Sequence, residues 1–237
     1  PSFSSGVGKL LVKVLACGLT PGDIRMLDGS TKLFRTPVDG FPYIPAGDIC
    51  GVVQECDADS KFKAGDTIIA SWDMMGVGGM AEYILVDSAL AALKPSSLTP
   101  SEGAALVNSG VYAMAGAERI DVKAGERVLI LGGSGGLGSF LIQFIKAAGA
   151  SHIVCTSTDE EMMTSLGADR VINYTQPGSE WSKMAEYQTK EGQFDVIIDC
   201  AEGKEAWAKC GNVLKRGWDG GRFCAFVLND WDINITG

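Results

Sequence analysis

The chain has 237 residues, of which 46% are hydrophobic and 21% charged, an ordinary balance for one large folded domain or two modest ones. Its net charge of −9 argues against a nucleic-acid surface, which needs a concentrated basic face. No apolar run reaches the ~18 residues that span a bilayer, so the chain is not expected to cross a membrane.

In chain order, the first hundred residues predict short strands separated by turns. KLLVKVLACG (9–18) is a strand signal and is followed by turn chemistry at Thr20-Pro21-Gly22-Asp23. ICGVVQEC (49–56), DTIIASW (66–72) and MAEYILVD (80–87) are further strands. This spacing points to a compact barrel-like or rolled domain. Trp72-Asp73-Met74-Met75 and the glycines after them suit either a mobile apolar lid or a surface loop with core-anchoring side chains.

The character changes near Pro100. Thr99-Pro100-Ser101-Glu102 starts a helix that runs on through EGAALVNSGVYAMAGAERI, although Gly110 and Gly116 weaken it. Strand and helix then alternate. RVLIL (127–131), HIVCT (152–156), RVINY (170–174), FDVIID (194–199) and RFCAFV (222–227) are strands, and EEMMTSL (160–166) is a short helix. Leu137, Leu141, Phe144 and Ala148, with Phe140 and Ile145 beside them, set an apolar stripe on another helix. The rhythm is that of a parallel sheet covered on both faces. The predicted fold class is α/β, with a β-rich domain over residues 1–99 and a doubly wound domain over 100–237.

Seven cysteines, Cys17, Cys50, Cys56, Cys155, Cys200, Cys210 and Cys224, include no C-x-x-C pair and lie mostly in apolar runs. They predict reduced, buried thiols in a reducing compartment. Pro1 stands where an initiating methionine would, so a trimmed start is expected. The compartment is then cytoplasm or an organelle interior, mitochondrial or plastid.

LGGSGGLGS (131–139) carries five glycines in nine positions. Gly133-x-Gly135-x-x-Gly138 follows a strand, opens an amphipathic helix and leads to a second strand, the context a dinucleotide fingerprint requires. Glycines there let a pyrophosphate approach backbone N–H groups at a helix N-terminus; the alternative is a tight strand–helix turn with no ligand. The second strand ends in Cys155-Thr156-Ser157-Thr158, hydroxyls in place of the acid usual for NAD. This favours NADPH, with NADH as the lesser reading. Asp159, Glu160 and Glu161 follow, and Thr158-x-x-Glu161 fits a capping box.

With both halves laid out, the chain resembles the medium-chain dehydrogenase/reductase superfamily, in its zinc-free quinone-oxidoreductase branch. Within that branch it is most similar to reticulon-interacting mitochondrial oxidoreductases and related organellar enzymes. The resemblance is carried by LLVKVLACGLTPGDIRMLDG, FPYIPAGDICGVVQEC, FKAGDTIIA, GGMAEYILVD, AGERVLILGGSGGLGSFLIQFIKAAGA, LGADRVINY and FDVIIDCAEG, in order. It implies a GroES-like catalytic domain and a Rossmann domain, with substrate in the cleft between them. Relatives continue before Pro1 and beyond Gly237, so a missing C-terminal part of the Rossmann domain is expected.

The resemblance also implies roles. Ser134, Gly136 and Leu137 would lie at the pyrophosphate, Thr156 and Ser157 near the adenosine ribose, and Tyr174 near the adenine or 2′-phosphate. Tyr174 also suits plain strand-end packing. Zinc-dependent relatives place a cysteine at Thr20 and a His-Glu pair at Asp48-Ile49, so no zinc is expected. Thr20 stands where relatives usually carry an asparagine beside the nicotinamide and reads equally as a turn residue; Arg25 stands where some relatives carry a tyrosine, and Tyr112 where a threonine usually meets the carboxamide. Thr20, Arg25 and Tyr112 are the catalytic candidates, with Asp23 a shared acid and Tyr43 a further donor.

The implied function is zinc-independent, NADPH-dependent hydride transfer to a quinone, enone or enoyl thioester. The alternative is an inert relative, acting as a cofactor sensor or as a subunit of a larger assembly. A homodimer or docking to such an assembly are the expected partners.

Overall fold

The computed structural model describes residues 8–28, 42–71, 78–216 and 220–226. The 72–75 loop lies outside them. Residues 1–108 and 109–237 form two compact units.

In the first unit, β1 (Lys9–Gly18), β2 (Asp48–Cys56), β3 (Thr67–Ser71), β4 (Tyr83–Asp87) and β5 (Ala91–Leu93) pair antiparallel in the order β4-β1-β2-β3-β5. Among the described residues no pairing closes this row into a ring. Alternation puts Leu10 and Val12 of β1, Ile68 and Ala70 of β3, and Ile84 and Val86 of β4 into one core with Ile49, Val53 and Phe62. β2 is central. Its first residue, Asp48, lies opposite Gly18 of β1 and Ser71 of β3.

The Thr20-Pro21-Gly22-Asp23 stretch is more than a turn: it begins helix α1 (Pro21–Leu27). Proline fits the first helical position because its missing N–H has no intrahelical partner to lose. The Asp23 carboxylate accepts the Thr20 N–H at 2.7 Å and the Thr20 hydroxyl at 2.8 Å, so a helix cap replaces the expected turn.

Helix α2 (Pro100–Ile120) starts as read: Glu102 accepts the Thr99 N–H at 2.7 Å and hydroxyl at 2.8 Å. The boundary read at 99/100 marks this helix start, whereas the two units part within α2. The helix continues through Gly116 because a Cβ there would sit 2.2 Å from the Phe226 ring; the ring packs where a side chain would be.

In the second unit, β6 (Arg127–Leu131), β7 (His152–Thr156), β8 (Arg170–Ile172), β9 (Val196–Asp199) and β10 (Arg222–Ala225) are parallel, in the order β10-β9-β6-β7-β8. Both faces are covered. Val128 and Ile130 of β6 join a core with α3 (Gly136–Ala147) and α4 (Glu160–Leu166), while Leu129 and Leu131 join Trp181, Tyr187, Phe194 and α5 (Lys204–Cys210) on the other face. β6 and β9 are neighbours whose connections leave to opposite sides, which makes their C-terminal ends the topological switch point.

Three local expectations change. The buried stripe of α3 is Gly138, Leu141, Ile142 and Ile145, one step round from the stripe read from the sequence; Ala148 is exposed. Covering by both β6 and α4 sets that face, and the helix's own pattern is apolar nearly all round. At α4 the cap is Asp159, whose carboxylate accepts the Met162 N–H at 2.9 Å, rather than Thr158. β8 ends at Ile172 because Asn173 Oδ1 turns the chain by accepting the Thr175 N–H and hydroxyl. All seven cysteines are free thiols. No helix among the described residues is long and apolar enough to cross a membrane.

Candidate functional site

The glycine loop sits at the C-terminal end of β6. Gly132 takes φ +81°, a conformation that strains any other residue, and its N–H donates to Thr156 Oγ1 at 2.9 Å. The next N–H, of Gly133, donates to the Thr156 carbonyl at 2.9 Å. A Cβ on Gly138 would lie 2.2 Å from the Gly132 carbonyl oxygen, so the helix can start this close to the strand only at glycine. Gly135 caps α3 and is exposed, as are Ser134 and Gly136, while Leu137 is half-buried. The first N–H groups of α3 have no intrahelical acceptor and lie at the positive end of its dipole. A phosphate-bearing cofactor fits this cradle: small residues outside, backbone donors within.

Thr156 and Ser157 are buried, and their hydroxyls are engaged inside the protein. Thr156 Oγ1 holds Gly132, and Ser157 Oγ accepts the Asp159 N–H at 3.0 Å. The exposed groups that follow are Thr158, Asp159, Glu160 and Glu161. Tyr174 is 62% exposed in the turn after β8, so it is not the strand-end packing residue of its alternative reading.

A second loop at the switch point escaped the sequence reading. The fully buried Asp199 accepts N–H bonds from Ala201, Glu202 and Gly203, at 2.9, 2.8 and 2.6 Å. Glu202 accepts the Trp181 indole N–H at 3.0 Å, and burial raises its carboxyl pKa. The Cys155 and Cys200 thiols are pushed up to about 12 by burial, which makes them inert at neutral pH. Only the DVIID pattern of β9, ending an apolar strand in an acid, pointed here.

In the first unit, Thr20, Gly22, Asp23, Met26, Gly47, Asp48 and Asn108 line a cavity of 30 Å³. Asp23 is buried, with Oδ1 accepting the Ala46 N–H at 2.9 Å and Oδ2 taken by Thr20. Asp48 is 3% exposed, and its Oδ1 has no hydrogen-bond partner. Burial, then repulsion by Asp23, lifts its carboxyl to about 7, opposed more weakly by the Asn108 backbone. The sequence showed Asp48 only as a position where other chains hold metal. Arg25 is exposed in the last turn of α1. Tyr43 is half-buried, its pKa raised by burial and by Asp23. Tyr112, in the second unit, is 52% exposed on α2.

Two family models match the chain: "Alcohol dehydrogenase GroES-like domain" over residues 6–96 and "Zinc-binding dehydrogenase" over 136–226. The chain belongs to the medium-chain dehydrogenase/reductase superfamily. Its two sheets are therefore a GroES-like domain and a Rossmann domain of that superfamily. The superfamily's NAD(P)H oxidoreductase RTN4IP1, mitochondrial, of Danio rerio is 35% identical over 238 residues, covering 92% of this chain and 59% of the relative. Quinone-oxidoreductase QR1, chloroplastic, of Triphysaria versicolor is 33% identical over 211 residues, covering 85% and 62%. An alcohol dehydrogenase superfamily protein from Novosphingobium aromaticivorans matches in structure with a TM-score of 0.78 at 26% identity, covering 95% of this chain and 67% of that one. The chain thus spans about three fifths of the length of these two curated relatives.

Proposed function

We propose that the chain carries the catalytic and nucleotide-binding parts of a zinc-independent reductase that moves hydride from NADPH to a quinone, enone or enoyl thioester. The observation that carries this reading is the glycine cradle at the switch point, held open by Gly132 and Gly138 at the start of α3. The names of the two curated relatives, an NAD(P)H oxidoreductase and a quinone oxidoreductase, support the same chemistry. A mitochondrial or plastid interior is proposed on the same ground, with cytoplasm as the other choice, and residues 1–99 and 100–237 as the working domains.

When bound, the nicotinamide supplies the hydride. The protein's part is to hold the dinucleotide and to meet the negative charge that hydride addition leaves on the substrate oxygen. Ser134, Gly136 and Leu137 offer backbone donors to the pyrophosphate. Thr156 acts from behind by fixing the loop, while Ser157, Thr158 and Tyr174 border the adenosine end. Thr20, Arg25 and Tyr112 are the candidates beside the nicotinamide and substrate. The Thr20 hydroxyl already donates to Asp23, so it serves as an acceptor in this arrangement. Two carboxylates, a hydroxyl and an amide around the cavity, without thiolate or imidazole, are a poor donor set for zinc.

The committed Thr20 hydroxyl also favours the second reading, an inert relative that binds cofactor as a sensor or as a subunit of an assembly. Titration with NADPH and, separately, NADH, followed by tryptophan fluorescence and then by quinone-dependent NADPH oxidation, separates the readings. Saturable NADPH binding with turnover is expected. Binding without turnover gives the sensor, tighter NADH reverses the nucleotide preference, and no binding removes both.

A further inference from the structure

Two buried carboxylates share the end of the first unit's sheet, and they differ in what surrounds them. Asp23 accepts three hydrogen bonds, from the Ala46 N–H, the Thr20 N–H and the Thr20 hydroxyl, and both its oxygens are occupied. Asp48 has a buried oxygen that no donor reaches. An ionised carboxylate in that position, beside a second one, is costly unless it takes up a proton. Once protonated it becomes a donor in need of an acceptor, and the 30 Å³ cavity it lines has room for about one water. Thr20 lines the same cavity, and its hydroxyl proton is committed to Asp23, which leaves its oxygen as an acceptor.

We propose that Asp48 holds a proton in the pocket beside Thr20 and delivers it, through a water in that cavity, to the oxyanion that hydride transfer leaves on the substrate. This rests on the functional reading above. Hydride brings two electrons and one hydrogen to the substrate. The oxyanion then takes a proton from the water, the water takes one from Asp48, and the carboxylate left behind is reloaded from solvent. Asp48 is a positioning and proton-holding residue that acts through the water. The groups facing it are Asp23 from α1, Gly18 of β1, Ser71 of β3 and Asn108 of α2. Tyr43 interacts with Asp23, and Cys17 lies one residue along β1 from Gly18.

The folded protein keeps this proton up to about pH 7, whereas the unfolded chain releases it near ~3.9. The stabilisation is full below the unfolded value and is lost as pH rises through the folded one. Asp48→Asn stays neutral throughout. Its melting temperature relative to wild type should therefore climb between about pH 4 and about pH 7 and level off above that. Its turnover of NADPH with a benzoquinone should fall ~100-fold, and the wild-type loss of rate above neutral pH should vanish.

A melting gap that does not change with pH overturns the stored proton. Wild-type rate and pH profile in the variant overturn its delivery. If the variant does not fold, the infrared band of a neutral buried carboxyl in the wild type, present at about pH 6 and gone by about pH 9, supports the stored proton, and its absence overturns it. A wild type that turns over no quinone sinks the functional reading and the delivery step together, while the melting and infrared arms still decide whether Asp48 carries the proton.

Discussion

The glycine loop and the Thr20 pocket solve opposite problems. In the loop, backbone carries the function: Thr156 ties Gly132 and Gly133 down from behind, and the exposed side is left nearly free of side chains. In the pocket, side chains carry it, and one of them is buried with an oxygen that has no partner. The loop is held from behind and tolerates little change in shape. The pocket is electrostatically strained and responds to pH. Strain of the second kind destabilises a fold, so its presence is informative about function.

The difference can be tested by variants, beginning with the largest effect. Gly138→Ala forces a Cβ to within 2.2 Å of the Gly132 carbonyl. It should lower stability by about 3 kcal/mol, and nucleotide titration should show no saturable binding. Asp199→Ala leaves three N–H groups without their acceptor and should cost about 3 kcal/mol in urea unfolding, with weaker dependence on the nucleotide. Asp23→Asn has one acceptor oxygen and cannot accept the Thr20 and Ala46 bonds together, and it removes the charge that repels Asp48. A loss of about 2 kcal/mol is expected. The pH at which Asp48 titrates, read from the melting gap between Asp23→Asn and the Asp23→Asn/Asp48→Asn double variant, should move down from about 7. Nucleotide affinity should be unchanged; if it falls as it does for Gly138→Ala, the contrast between loop and pocket is lost. Thr156→Val is the mildest. Removing one hydrogen bond should cost about 1 kcal/mol, or roughly 5-fold in NADPH affinity, and Thr156→Ser should restore it.

How much of this was legible depended on what each feature is made of. The β6–loop–α3 passage is local: an apolar strand, glycines at fixed offsets and a helical stripe lie within two dozen residues, and the sequence displays them directly. The parallel alternation and the superfamily followed in the same way. The direction of the Thr156 hydroxyl is not legible in the sequence. The resemblance implies a place near the ribose, and the strand pairing that turns the hydroxyl toward Gly132 depends on β6 lying beside β7. Thr20-Pro21-Gly22-Asp23 fits a turn and a helix start equally well on composition, and the Asp23 cap decides it. Asp48 was least legible. Nothing adjacent in the chain marks it as buried beside Asp23, because β2, α1 and α2 come together from three separate stretches.

The strand order of the second unit has a consequence for how the protein is made. β6 lies at the centre of that sheet, yet one of its two partners, β9, arrives much later in the chain: the Arg127 N–H donates to Asp195 across a separation of 68 residues. Until that stretch has emerged from the ribosome, β6 has an open edge and the Leu129 and Leu131 face lacks its cover from Phe194 and Ile197. The first unit has a long-range pairing of its own, Lys9 of β1 with Asp87 of β4, but all its strands lie before residue 94 and so have emerged well before β9. A nascent chain halted before β9 should therefore display a folded first unit and a protease-sensitive second one, with the glycine loop assembled only as the last strands dock.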